Sequence, residues 1–132
     1  MSTILLVEDD AEIAELTVGR LERAGFEVLV ANDRASGIEL ACAKLPDLIL
    51  MDVQLSADLR GGLEATRFLK SNSATRKIPI LVLSASAMPA DREQAFAAGC
   101  DELEEKPFDT VRLLEKINAL LRKRDEHEVK RT

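Results

Sequence analysis

The sequence predicts an α/β fold, a parallel sheet covered by helices on both faces. Strand-like and helix-like stretches alternate, (βα) five times over, with short connections; that alternation marks a parallel sheet wound in both directions. Two strand-like stretches, Thr3 to Val7 (TILLV) and Leu48 to Met51 (LILM), are continuous apolar runs too short for helices, as strands buried on both faces are. The second belongs to the segment Pro46 to Asp52 (PDLILMD), which closes on an acid. A carboxylate at the carboxyl end of a central parallel strand stands where open α/β sheets place their chemistry. Burying it costs several kcal/mol unless a charged or polar group answers it.

The first strand, TILLV, ends at Glu8, Asp9 and Asp10. A helix follows from about Ala11 to Ala24, with Ile13, Thr17, Leu21 and Ala24 on one face and Gly25 as its stop. Glu27 to Ala31 (EVLVA) is strand-like, with Val28 and Val30 alternating against Glu27 and Leu29. Asn32 or Asp33 caps a second helix, whose expected buried stripe is Ala35, Ile38, Ala41, Cys42 and Leu45, closed by Pro46. After the strand ending in Asp52, residues 53 to 62 (VQLSADLRGG) carry turn residues. A third helix is expected over about Leu63 to Ser71, with a ragged apolar face, then a fourth strand over Ile78 to Ser84 with Pro79 at its start. Met88 to Ala98 is an alanine-rich helix ended by Gly99, and residues 101 to 104 (DELE) form a short fifth strand before Lys106 and Pro107. The last helix, about Asp109 to Lys123, gathers Leu113, Leu114, Ile117, Leu120 and Leu121 on one side. The end, RKRDEHEVKRT, is almost free of apolar residues and reads as a frayed tail.

Composition narrows the function classes. Hydrophobic residues make up 46% and charged residues 32% of 132, which suits one globular domain with a real core and not a disordered chain. The net charge of −6 argues against non-specific nucleic-acid binding, which needs a basic face. No apolar run approaches the roughly 20 residues that span a bilayer, and MSTILLVEDD turns acidic too early for a signal peptide. Two cysteines, Cys42 and Cys100, are too few for a disulfide scaffold and are expected as small buried apolar groups. A cytoplasmic home is expected.

Acids at Glu8 and Asp9, Asp52, Ser84 and Lys106 follow the expected strands at their carboxyl ends. Through them, and through the stretches LLVEDD, PDLILMDVQL, IPILVLSA and AAGCDELEEKPFD, the chain resembles the receiver domain of bacterial two-component response regulators over Thr3 to about Arg122. The resemblance implies a flavodoxin-like (βα)₅ sheet of order 2-1-3-4-5. It implies Asp52 as the phosphoacceptor and Mg²⁺ held by Glu8, Asp9, Asp52 and the backbone carbonyl of Gln54. Ser84 would meet the phosphoryl group, Lys106 would pair with it, and the peptide bond before Pro107 would be cis. The residue types suit that chemistry. Crowded carboxylates raise one another's pKa; a hard divalent ion with oxygen ligands relieves this, and a nucleophilic carboxylate must be ionised. Asp10 is expected only to cap the first helix, His127 to be solvated, and Asp101, Glu102, Glu104 and Glu105 to form a solvated acidic rim.

Three places depart from the family pattern. Leu103 stands where Tyr or Phe is usual, so the usual aromatic readout is not expected. Ser56 replaces a common proline, and the loop SADLRGG is about two residues longer than the commonest form. Gln54 and Ser86 occupy places that tend to tune phosphoryl lifetime. The expected domain spans residues 1–124, with 125–132 as a polar tail. The expected function is a single-domain response regulator, phosphorylated by a sensor histidine kinase or histidine phosphotransfer protein, with slow hydrolysis of its own aspartyl phosphate. No output module follows Arg122, so a downstream protein is the expected target of a monomer or weak dimer. The alternatives are a receiver-like interaction module that is never phosphorylated and a flavin-binding flavodoxin-like protein. The second is disfavoured by VEDDAE, which would repel a phosphate, and by the absence of Trp and Tyr.

Overall fold

The structure, a computed structural model, describes residues 1–55 and 61–131, with side chains through Glu126. Ser56, the rest of the loop to Arg60, and the His127 side chain lie outside the described residues. In chain order the elements are β1 Thr3–Val7, α1 Ala11–Arg23, β2 Glu27–Ala31, α2 Arg34–Lys44, β3 Leu48–Asp52, α3 Gly61–Ser71, β4 Ile80–Ser84, α4 Pro89–Ala97, β5 Glu102–Glu105 and α5 Thr110–Arg131. All neighbouring strands are parallel, in the order β2-β1-β3-β4-β5. The winding reverses between β1 and β3, whose Val7 and Met51 lie side by side, so the residues following each are brought together.

Alternation along the strands divides the core. Ile4, Leu6, Leu48, Leu50, Leu81 and Leu83 face Leu21 of α1 and Leu113, Ile117 and Leu121 of α5. Leu5, Val7, Ile49, Met51, Ile80 and Val82 face α2, α3 and α4. Each fully buried Leu or Ile contributes about 1.5–3 kcal/mol by leaving water, so the three inner strands anchor both layers. Side chains of Asp10 and Asp33 cap α1 and α2, accepting from Ile13 N–H (3.1 Å) and Ser36 N–H (2.8 Å) respectively. Gly25 and Gly99 take positive φ just after α1 and α4, the conformation glycine adopts at no steric cost.

Several boundaries and faces differ from the sequence expectation. On α1 the buried residues are Ala14, Thr17 and Leu21, while Ile13 is 37% exposed. On α2, Gly37 and Ala41 meet the sheet, and Ala35, Cys42 and Leu45 are exposed. The cause is close approach: a Cβ on Gly37 would lie 3.0 Å from both Val7 methyls, so the helix packs through its smallest residues and turns Cys42 outward. Cys100 is buried as expected. β4 starts at Ile80 and β5 one residue later than DELE. α3 begins at Gly61. α5 continues to Arg131 where a frayed tail was expected; its residues past Lys123 are mostly strong helix formers, and Arg124 is tied to Asp47 by a 2.8 Å ion pair.

Candidate functional site

Glu8 follows β1, Asp52 ends β3, Ser84 ends β4 and Lys106 follows β5, so four strand ends open on one rim. Backbone bonds fix them there. Glu8 N–H donates to Ala31 (3.0 Å), Val53 N–H to Leu83 (3.0 Å) and Lys106 N–H to Ser84 (2.7 Å), each to a carbonyl. The Lys106–Pro107 bond is cis. Glu8, Asp52 and Ser84 are nearly out of contact with solvent, at 2%, 6% and 7% exposure.

Lys106 answers the buried acids. Its Nζ donates to Asp52 Oδ2 at 2.9 Å and to Glu8 Oε1 at 3.0 Å. Carboxylate oxygens of Glu8, Asp9 and Asp52 all lie within 4.8 Å of one another. The cleft they line, about 320 Å³, is also bordered by Gln54, Ser84 and Ile13. Burial pushes the Glu8 carboxyl up to about 7, its hydrogen bond with Asp52 adds to this, and Lys106 opposes it. Burial pulls the Lys106 ammonium down, but its bonds to Asp52 and Glu8 outweigh that and leave it raised. The lysine is therefore charged at neutral pH, and one ammonium faces two acids.

The donor set fits a hard divalent cation. Two oxygens on opposite sides of Mg²⁺ stand about 4.2 Å apart, close to the span of this cluster. A cation at this cluster would offset the burial and the Asp52 contact that raise the Glu8 carboxyl. Glu8, Asp9 and Asp52 could hold the ion, with Gln54 at the same cleft.

Every sequence-predicted site residue thus reaches one cleft: Glu8, Asp9, Asp52, Gln54, Ser84 and Lys106. The Ser84 hydroxyl is bonded to the Ser86 backbone. Its hydroxyl donates to the Ser86 carbonyl (2.7 Å) and accepts from Ser86 N–H (3.2 Å). Asp10, expected only to cap α1, caps it and also borders the cleft. The acidic rim is not simply solvated. Glu104 is 5% exposed and pairs with Lys116 at 3.0 Å, and Asp101 accepts from Ile80 N–H at 2.8 Å and pairs with Lys70 at 2.7 Å. Both acids face lysines presented by neighbouring helices, a pairing that sequence distance conceals. Ile13, expected on the same face as Thr17 and Leu21, instead borders the cleft; its place in the first turn of α1, bonded to the Asp10 cap, was the available signal.

Residues 4–118 match the family described as response regulator receiver domain. The chain is 37% identical over 125 residues to the DNA-binding dual master transcriptional regulator RpaA of Synechocystis, covering 95% of this chain and 51% of RpaA. It is 34% identical over 119 residues to the polar-differentiation response regulator DivK of Brucella anthropi, covering 90% of this chain and 95% of DivK. The chain thus spans about half of RpaA and nearly all of DivK. Among solved structures it resembles the receiver domain of the sensor histidine kinase PA1611 of Pseudomonas aeruginosa, which has a magnesium ion coordinated in its active-site cleft. The TM-score there is 0.82 at 30% identity, covering 91% of this chain and 97% of that one. A CheY-like receiver domain protein of Methanospirillum hungatei superposes with a TM-score of 0.87 at 26% identity, covering 96% and 98%.

Proposed function

The chain belongs to the response regulator receiver domain family, and on that premise we propose that Asp52 is its phosphoacceptor. The donor is a phosphohistidine on a sensor histidine kinase or a histidine phosphotransfer protein. One observation carries the reading: a single ammonium, Lys106 Nζ, bridges Asp52 and Glu8 at 2.9 and 3.0 Å beside a third carboxylate, Asp9.

In the transfer, an oxygen of Asp52 forms a bond to phosphorus as the bond from phosphorus to the imidazole nitrogen breaks. The electron pair stays on the imidazole. The Lys106 ammonium, on a flexible stem, follows a phosphoryl oxygen as a point charge. Ser84 offers a hydroxyl donor to another. Mg²⁺ held by Glu8, Asp9, Asp52 and the Gln54 carbonyl would supply positive charge against the transferring phosphoryl. Catalysis by the chain itself is then positioning and electrostatics. Slow hydrolysis of the aspartyl phosphate resets the domain, residues 1–124, a monomer or weak dimer in the cytoplasm. Its output passes to a protein partner through a changed surface; the acidic chain, at net charge −6, is unsuited to non-specific nucleic-acid contact.

Incubation with Mg²⁺ and acetyl phosphate, followed by intact-protein mass spectrometry, should add one phosphate to the wild type and none to Asp52→Asn. Label that persists in Asp52→Asn would reassign the acceptor. A wild type that takes no label would favour the alternative, an interaction module that is never phosphorylated. That alternative draws on Leu103, which is 1% exposed in the core and supplies no aromatic ring to reorient.

A further inference from the structure

Ser84 has one hydroxyl proton, and in this structure it is spent on the Ser86 carbonyl. An anion on Asp52 can receive it only if that bond is given up. What holds Ser86 in place lies outside the cleft. Ser86 Oγ donates to Asp91 Oδ2 at 2.7 Å, in the first turn of α4, and Met88 N–H donates to the same hydroxyl at 3.4 Å. On the other side, Ala87 N–H donates to Glu105 Oε2 at 3.2 Å, one residue before Lys106. The segment from Ser84 to Met88 is therefore clamped from α4 and from the end of β5. Asp91 is half-buried and does not line the cleft.

We propose that Asp91 is a positioning residue that, by gripping Ser86, keeps the Ser84 hydroxyl proton bonded to the Ser86 carbonyl, so that its grip competes with occupancy of Asp52 by a phosphoryl group. This rests on Asp52 being the acceptor and adds to that reading the residue that opposes its occupied state. The bond to Asp91 is charge-assisted and short, the stronger kind. Loss of it releases Ser86, and Ser84 with it, while leaving every group in the cleft intact. Glu105 acts on the same segment through Ala87, as the second clamp.

The test uses beryllium fluoride with Mg²⁺, which mimics an aspartyl phosphate, titrated onto wild type, Asp91→Ala, Asp91→Asn and Ser86→Ala. Asp91→Ala should bind about tenfold more tightly, the factor expected from one charge-assisted hydrogen bond at a partly exposed site. Asp91→Asn should fall between wild type and Asp91→Ala, because its amide oxygen still accepts from Ser86 but without the charge assistance. That variant also separates the grip from simple charge: if removal of a negative charge near an anion were the cause, Asn would behave like Ala. Ser86→Ala should tighten binding too, and the double variant should gain no more than either alone. In the absence of ligand, the Ala85 and Ala87 amide resonances of Asp91→Ala should move part-way toward their wild-type bound positions. Should loss of Asp91 unfold α4, Ser86→Ala makes the same comparison. Equal or weaker binding by the variants, with a wild type that binds, overturns the role of Asp91 and leaves Asp52 as acceptor. A wild type that takes neither beryllium fluoride nor phosphate overturns the acceptor reading itself.

Discussion

Glu8 shows at the scale of one residue how the site stores charge. It is 2% exposed, beside a second acid, and its carboxyl is pushed from 4.5 to about 7 by burial first and Asp52 second. A carboxyl raised on folding favours the folded state below its unfolded pKa, and that advantage is lost as pH rises through the folded value. In EDTA, then, Glu8 should cost up to roughly 3 kcal/mol of stability between pH 4.5 and about 8. Urea unfolding of wild type beside Glu8→Gln at both ends of that range should show the wild type losing more as pH rises. Added Mg²⁺ should recover much of the loss in the wild type. An equal pH slope in the two proteins would show that the burial of Glu8 is relieved in some other way. Glu8 could be picked out as an acid from the sequence, but its burial could not, because that depends on β2 and on Lys106.

At the scale of an element, α3 is held against β3 by glycine. Gly62 N–H donates to the Val53 carbonyl at 2.9 Å, and a Cβ on Gly62 would lie 1.8 Å from the Asp52 carbonyl oxygen and 2.8 Å from Val53 Cα. No rotamer relieves a clash between backbones. Gly62→Ala should therefore destabilise the domain by about 2 kcal/mol or more. It should also slow phosphate incorporation by displacing Asp52 and Gln54, both readable by denaturation and acetyl phosphate labelling. A variant of wild-type stability would mean that α3 can move away freely. The two glycines were visible as turn residues, and the helix was expected to start after them. In the structure both glycines lie within α3, where the helix approaches the strand closely.

At the scale of the whole molecule, the ends of the sheet have separate duties. The carboxyl ends carry the acids, and the amino ends are tied by Asp47. Its Oδ2 accepts from Thr3 N–H at 2.7 Å, and its Oδ1 and backbone carbonyl accept from Arg124 Nη1 at 2.8 and 3.2 Å. One residue thus links the starts of β1 and β3 to α5. Arg124→Ala should lower stability by about 1 kcal/mol and leave phosphate incorporation at Asp52 unchanged, since the link lies at the far end of β3. A loss of labelling would show that the two ends are coupled through the sheet. Leu103 packs among the residues facing α2, α3 and α4 and carries no aromatic ring to swing.

The order of elements, the apolar central strands and the α5 stripe were legible in the chain, because strand burial and helical periodicity are local patterns; Glu8, Asp9, Asp52, Ser84 and Lys106 stood out as strand-end residues at recognisable intervals, and Gln54 entered through the family resemblance. Which face α2 buries, that Glu104 and Asp101 meet lysines, and where Ser84 spends its proton were decided only when the chain folded. Those outcomes depend on how closely one backbone approaches another and on partners far away in sequence, as Gly37 against Val7 and Lys106 between Glu8 and Asp52 show.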